Sequence, residues 1–331
     1  MKHVIAIVVF LSTTVPLRAG CGSASCPLDT NALNRLAAGT WTLDLSLQYI
    51  DQDQLRIGSR KANAGEMHGP HHDEVRTVNR IATALLSYAP APRLDLSASM
   101  PYVSRAHDHL ASSHEHHSRG IAPQHNTVPE SWSLDGIGDV VLQARYAIAD
   151  FDTATRSGLW LIGGVKLPTG KHDERNEEGE IAELPVQPGS GSTDAIVGLS
   201  YQGNVVRNSG GMFANVPYFV SAIYQMRTGG TDGYRLGNQL ELNAGGAYPL
   251  RSVDLLLQMN ARVRAKDDIG DEPEEEPFTG GSFVYVSPGL RVPVGARAAA
   301  YALVQIPVYQ DVNAIQLTSD VNYVLGIQTR F

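Results

Sequence analysis

Residues 41–49 limit what this chain can fold into more than any other stretch. Trp41, Leu43, Leu45, Leu47 and Tyr49 alternate with Thr42, Asp44, Ser46 and Gln48. A period of two places the two sets on opposite faces of a β-strand, one apolar and one polar. Aromatic residues close both ends of the apolar face. At ~3.3 Å per residue and a tilt of ~45°, Trp41 and Tyr49 stand roughly 19 Å apart along a membrane normal, close to the spacing of two interfacial girdles. The pattern recurs in Leu94, Leu96, Ala98, Met100 and Tyr102, in Val140, Leu142, Ala144, Tyr146 and Ile148, and again from Val253 to Val263. Several of these runs outlast the usual ~5–6 residues of a soluble strand and suit tilted membrane-crossing strands.

Twelve such strands are expected, near 39–50, 76–88, 93–103, 135–149, 157–167, 194–206, 212–227, 235–248, 253–265, 282–292, 297–309 and 320–331. Strands 2 and 10 alternate least well. The connections 89–92, 150–156, 207–211, 249–252 and 293–296 are short. Residues 51–75, 104–134, 168–193, 228–234, 266–281 and 310–319 are mostly long and polar. Short turns on one side and long loops on the other are the habit of outer-membrane barrels. The expected fold is therefore all-β, a 12-stranded antiparallel up-and-down transmembrane β-barrel with a short N-terminal helical or periplasmic segment. An even strand count puts both termini on the periplasmic side. Val321, Tyr323, Leu325, Ile327, Thr329 and the terminal Phe331 form an alternating strand ending on an aromatic residue, the signal such barrels offer to the barrel-assembly machinery. Outer-membrane lipid and lipopolysaccharide are the expected surroundings.

The N-terminus supplies the address. Met1-Lys2-His3 is basic, Val4 to Leu11 is apolar, and Thr13, Thr14 and Pro16 break the run before Ala19. This is the form of a cleaved signal peptide, too short to span a bilayer. Three segments follow: 1–19 a signal peptide, 20–38 a Cys-containing periplasmic or plug segment with a short helix from Thr30 to Gly39, and 39–331 the barrel. The expected location is the outer membrane of a Gram-negative bacterium. Cys21 and Cys26 would lie in an oxidising compartment, where a small local disulfide, a paired-thiol site and lipidation at Cys21 are the three readings.

Elsewhere no apolar run approaches the ~18 residues of a membrane helix. A net charge of −8 argues against nucleic acid as a partner, since such proteins carry a basic footprint. Two cysteines exclude a dense disulfide scaffold.

Four junctions carry a family resemblance: Val165-Lys166-Leu167-Pro168-Thr169-Gly170, Gln187-Pro188-Gly189-Ser190-Gly191-Ser192-Thr193-Asp194, Gly233-Tyr234-Arg235-Leu236-Gly237-Asn238-Gln239-Leu240, and Tyr285-Val286-Ser287-Pro288-Gly289-Leu290. Over roughly residues 155–331 the chain resembles the outer-membrane transporter barrels grouped under the meta-pathway of phenol degradation. The resemblance implies a barrel that passes small, often aromatic or apolar, molecules.

Nine of the eleven histidines lie between residues 68 and 125. His68, His71 and His72 belong to the first long loop; His107, His109, His114, His116, His117 and His125 belong to the second. Short His-rich tracts with neighbouring carboxylates suit Zn(II), Cu(II) or Ni(II). Three readings stand: a solvated loop with incidental metal affinity, metal capture or metal-gated entry, and a pH-responsive lid. No HExxH spacing is present, so catalytic zinc is not expected, and no cofactor is required. Residues 171–183 and 267–276 are acidic and read as a solvated vestibule that concentrates cations.

Inward strand faces mix signs. Asp44, Asp95, Asp139, Glu241, Asp254 and Asp320 face Arg93, Arg145, Lys166, Arg235, Arg262, Arg264, Arg297 and Arg330, either as a selective pore lining or as charges bracing a filled lumen. The leading function is a passive outer-membrane channel for small-molecule or metal solutes. The alternative is a surface metal-binding protein using the barrel as an anchor. A barrel enzyme built on Ser113, His114 and Glu115 is a distant third, with no geometry implied.

Overall fold

The computed structural model describes residues 28, 33, 36–67, 72–112, 127–152, 157–175, 182, 184–205, 216–230, 233–270, 273 and 276–331. The signal-peptide, disulfide and lipidation expectations at 1–27 lie outside these residues, as does most of the expected helix after Thr30.

Thirteen strand segments follow one another: β1 (Trp41–Gly58), β2 (Arg60–Lys61), β3 (His72–Ala91), β4 (Leu94–Ser112), β5 (Thr127–Ile137), β6 (Val141–Asp152), β7 (Ser157–Lys166), β8 (Asp194–Val205), β9 (Val216–Met226), β10 (Gln239–Leu250), β11 (Val253–Arg264), β12 (Gly281–Val294) and β13 (Ala298–Arg330). All pairings are antiparallel; β1 pairs with β3 past the short β2, β4 with both β5 and β6, the later strands pair in chain order, and β13 pairs with β1 to close a ring. At the seam Trp41 and Phe331 exchange both backbone hydrogen bonds, at 2.9 and 3.0 Å. Closure removes the unpaired edges an open sheet would expose to lipid.

Eleven segments form the ring, and β2 and β5 lie off that path. The difference from the expected twelve is one of segmentation. β13 is 33 residues long, about 110 Å if extended. Its first half pairs with β12 and its second with β1, both antiparallel. The chain must therefore reverse, and it does so around Val312, next to Ala314 at φ 40°. Counted by passes, the ring has twelve.

β5 and β6 likewise share one course. Tyr102↔Ile137 pairs β5 with upper β4, and Ser99↔Val141 pairs β6 with lower β4. The break between them, Gly138–Val140, falls beside Pro101, whose carbonyl accepts from Gly138 N at 2.8 Å.

The strands are tilted. From Asp95 the register runs through Arg145, Ile162, Gly198, Ile223, Glu241, Arg262, Phe283 and Gln310. Gln310 Nε2 bonds Ser319 O across the reversal, and Gln52 and Thr77 return the path to β4 at His107. The path re-enters twelve residues above its start. For twelve passes that stagger corresponds to a tilt of about 35°.

The packing is inside out. Asn79, Asn260, Asn322 and Gln305 are fully buried, while Leu257, Leu325 and Val308 on the outer face are 57, 56 and 60% exposed. A soluble protein buries the opposite set. Outward aromatics mark two levels: Trp41 stacks on Tyr88 at 4.3 Å near the lower, terminus-bearing end, and Tyr49 pairs with Tyr323 in register eight residues higher.

Candidate solute pathway and outer mouth

The inner wall is built from the polar half of each alternation. Side chains pass hydrogen bonds from strand to strand: Arg105 Nε donates to Asn79 Oδ1 at 2.5 Å, Asn79 Nδ2 to Gln52 Oε1 at 2.9 Å, and Gln52 Nε2 to Leu317 O at 3.2 Å. On the far wall Ser287 Oγ donates to Asn260 Oδ1 and Asn260 Nδ2 to Asn243 Oδ1. Asn322 Nδ2 donates to Gln305 Oε1 at 2.9 Å. Burial of these amides is tolerable because each finds a partner. The alternation marks their positions as inward polar, but an uncharged amide carries no further signal in the sequence that sets it apart from other inward polar residues.

Apart from those in two buried knots, the expected lumen charges separate into three groups. Near the lower end Asp44 is 2% exposed and accepts from Tyr301 OH at 2.7 Å and Gln328 Nε2 at 3.3 Å. Asp95 opposes Arg145 in register, Asp254 opposes Arg291, and Glu241 opposes Arg262. Arg145 lies over the Trp160 ring at 5.1 Å and Arg262 over Phe283 at 4.9 Å. A third group departs from expectation. Arg93 and Arg297 sit in lower turns, Asp320 is exposed beside Lys61, and Arg235 forms an exposed pair with Asp268 at 2.8 Å. At those positions the alternating register has ended, so parity no longer predicts facing.

Asp139, Lys166 and Asp194 meet in a buried knot. Lys166 Nζ lies 2.8 Å from Asp139 and 3.1 Å from Asp194. It also donates to Ser190 Oγ and to Ser192 Oγ. Asp139 accepts from Gly170 N and Ser190 N, both at 3.0 Å. Asp194 accepts from Gln225 Nε2 and Thr228 N. Backbone packs on backbone around it: a Cβ on Gly189 would lie 2.5 Å from Gly170 C, and one on Gly170 2.7 Å from Gly138 C. The motif residues 165–170 and 187–194 are thus two sides of one structure, a plug that fills the β5–β6 break.

A second knot centres on Asp267, 2% exposed. Asp267 accepts from Arg264 Nη2 at both oxygens, at 2.5 and 2.6 Å, from Tyr234 OH at 2.7 Å and from Gly237 N at 2.7 Å. This corrects the expectation of a wholly solvated acidic loop, because one acid there is structural. Burial, with Arg264 and Arg262 close by, pushes Arg227 down to about 10. In the other acidic loop, Lys171 pairs with Glu174.

Of the nine histidines, His68, His71, His114, His116, His117 and His125 lie outside the described residues, as does the side chain of His72. His107 and His109 are not loop residues. They occupy the inner face of upper β4, 5 and 8% exposed, with rings 5.2 Å apart. His109 Nε2 donates to Glu130 Oε2 at 2.9 Å, and His107 Nδ1 lies 2.7 Å from Thr77 Oγ1. Among the described residues no three His, Cys, Asp or Glu side chains cluster as a metal site.

An outer-membrane channel from Pseudomonas putida F1 is similar over 92% of this chain and 100% of its own, at 12% identity and a TM-score of 0.61. The transport unit of the autotransporter AIDA-I from Escherichia coli matches at 11% identity and 0.46, over 92 and 93% of the two chains. A Pseudomonas aeruginosa FadL homologue matches at 10% and 0.43, over 96 and 98%. No protein-family model and no curated protein matches the sequence. The first of these likenesses shows the fold: a closed barrel of the outer-membrane type.

Proposed function

We propose that this chain is a passive outer-membrane channel for small solutes, including aromatic or apolar molecules. Its His-rich and acidic outer loops would bind or admit divalent Zn, Cu or Ni as cargo. One observation carries the reading. Polar side chains recur on the inner wall at every level, from Asp44 through Asn260 to His107, among apolar ones such as Ile162 and Phe219. A barrel serving only as an anchor gains nothing from inward polar groups repeated at every level, which an apolar filling would replace at lower cost in desolvation. The structural neighbour from Pseudomonas putida, itself an outer-membrane channel, supports the same reading. Twelve passes lie between the eight that side chains fill and the sixteen or more of wide pores, so the pathway is narrow.

Under this proposal the chain is exported by a cleaved signal peptide. Its Phe331 strand is handed to the assembly machinery, and its apolar face meets lipid and lipopolysaccharide. His107 and His109 face inward, which favours metal handling at the channel mouth over capture on the outer surface. Planar-bilayer recording with and without Zn(II), Cu(II) and Ni(II) tests the proposal. Discrete conductance altered by metal supports channel and mouth together. A folded barrel passing neither ions nor solute refutes the channel, and tight calorimetric binding lost on deleting 67–74 and 107–117 would leave the metal-binding anchor.

A further inference from the structure

Most described cations of the inner wall have an acceptor. Lys166 has Asp139 and Asp194, Arg264 has Asp267, and Arg105 has Asn79 Oδ1 and Pro185 O. Arg145 differs. Its guanidinium lies over Trp160, which is 2% exposed, and its Nε and Nη2 are enclosed without a hydrogen-bond acceptor. Asp95 stands opposite in register, yet Arg145 engages no acceptor among the described residues. Ile162, its neighbour on β7, and Ala147 are buried on the same inner face. The residue as a whole is only partly buried, and Nη1 is not among the enclosed donors, so the fork reaches the lumen at that nitrogen.

An aromatic platform holds a guanidinium in orientation without satisfying its N–H groups. Donors withdrawn from water and left unmet are costly, and a planar carboxylate restores them two at a time. Apolar walls at Trp160, Ala147 and Ile162 favour an anion with an apolar body over chloride. We propose that Arg145 on Trp160 is a binding station for small organic carboxylates in transit. The proposal rests on the channel reading and names its solute class. Arg145 supplies the charge and the fork; Trp160 holds it in place.

The test uses the full barrel refolded in detergent, in a Trp41→Phe/Trp132→Phe background where Trp160 is the sole tryptophan reporter. Benzoate is the probe and benzyl alcohol its neutral counterpart. Benzoate should perturb Trp160 fluorescence saturably and benzyl alcohol should not. Arg145→Gln should raise the half-saturating benzoate concentration at least tenfold. Arg145→Lys, which keeps charge without the fork, should fall between. Heat-modifiable migration on gels confirms that each variant is folded. Equal responses to the two probes, or benzoate binding unchanged in folded Arg145→Gln, would overturn the station. A parallel bilayer arm separates the two claims. Ion conductance blocked by benzoate only when Arg145 is present supports both, and conductance with no Arg145-dependent binding refutes the station alone. Arg145-dependent binding in a barrel that never conducts refutes the channel and leaves the carboxylate site standing.

Discussion

The two sides of the barrel rise above the membrane by different means. On one side β1, β3, β4 and β5 keep pairing far past the upper aromatic level, to Gly58, His72, Ser112 and Thr127. There the wall is held by backbone ladders and by side chains reaching across strands, such as Arg105–Asn79–Gln52 and Tyr102–Asp135. On the other side β7 and β8 stop at Lys166 and Asp194, and the wall continues as glycine-rich segments tied by buried ions. The tall wall spreads its stabilisation over many hydrogen bonds. The short wall concentrates it in a few charged groups, where the loss of one member is felt by all.

The sharpest way to break this contrast is Lys166→Met. It leaves Asp139 and Asp194 buried without their cation, and removing one partner of a buried pair costs about 3–5 kcal/mol. Chemical unfolding in lipid should show that loss, with new protease cleavage confined to 167–193. Gly189→Ala attacks the same knot through its backbone. Overpacking against Gly170 should cost about 1–3 kcal/mol, again with loop release and intact strands. Asn79→Ala probes the tall wall by stripping Arg105 Nε and Gln52 Oε1 of a shared partner. A cost of about 1–3 kcal/mol is expected, with faster amide exchange in upper β3 and β4 and none at 187–193. Release of 187–193 by Asn79→Ala would show that the two sides are not separate.

The smallest effect belongs to the exposed tip of the tall wall. Hydrogen bonds from Arg60 and Asn63 hold the Glu66 carboxyl below its ordinary 4.5. A lowered folded value means its contribution is present above that ordinary value and fades as pH falls through the folded one. Amide exchange at Asn63, whose N donates to Glu66 Oε1 at 2.9 Å, should quicken in that acidic window. The global unfolding midpoint should not change in Glu66→Gln.

How much of this the sequence disclosed depended on whether the two strand faces differed in polarity. Within the membrane they do, so Trp41 to Tyr49 and Val253 to Val263 are plain. Above it both faces are polar, as in Asp51, Gln52, Asp53 and Gln54, and the strand continues without a hydropathy signal. By hydropathy alone residues 51–58 and 104–112, with His107 and His109, look like loop, while the structure has them in β1 and β4. The reversal near Val312 has no glycine or proline to announce it, since Ala314 takes the left-handed conformation. The Asp139–Lys166–Asp194 knot joins residues 27 and 28 positions apart in the chain. The motifs quoted at 165–170 and 187–194 marked its parts, but only the register of β6, β7 and β8 shows that they converge.

The central claim is that the wall is inverted, with its polar face on a water-accessible pathway and its apolar face in lipid. Leu142 and Gln143 are adjacent on β6, the first 42% exposed on the outer face and the second turned inward. With Cys21 and Cys26 replaced by Ser, single cysteines at 142 and 143 in proteoliposomes test the claim directly. A charged, membrane-impermeant thiol reagent should label 143 and spare 142, while a lipid-soluble maleimide should label 142. Aqueous labelling at 142 with protection at 143 would contradict the account.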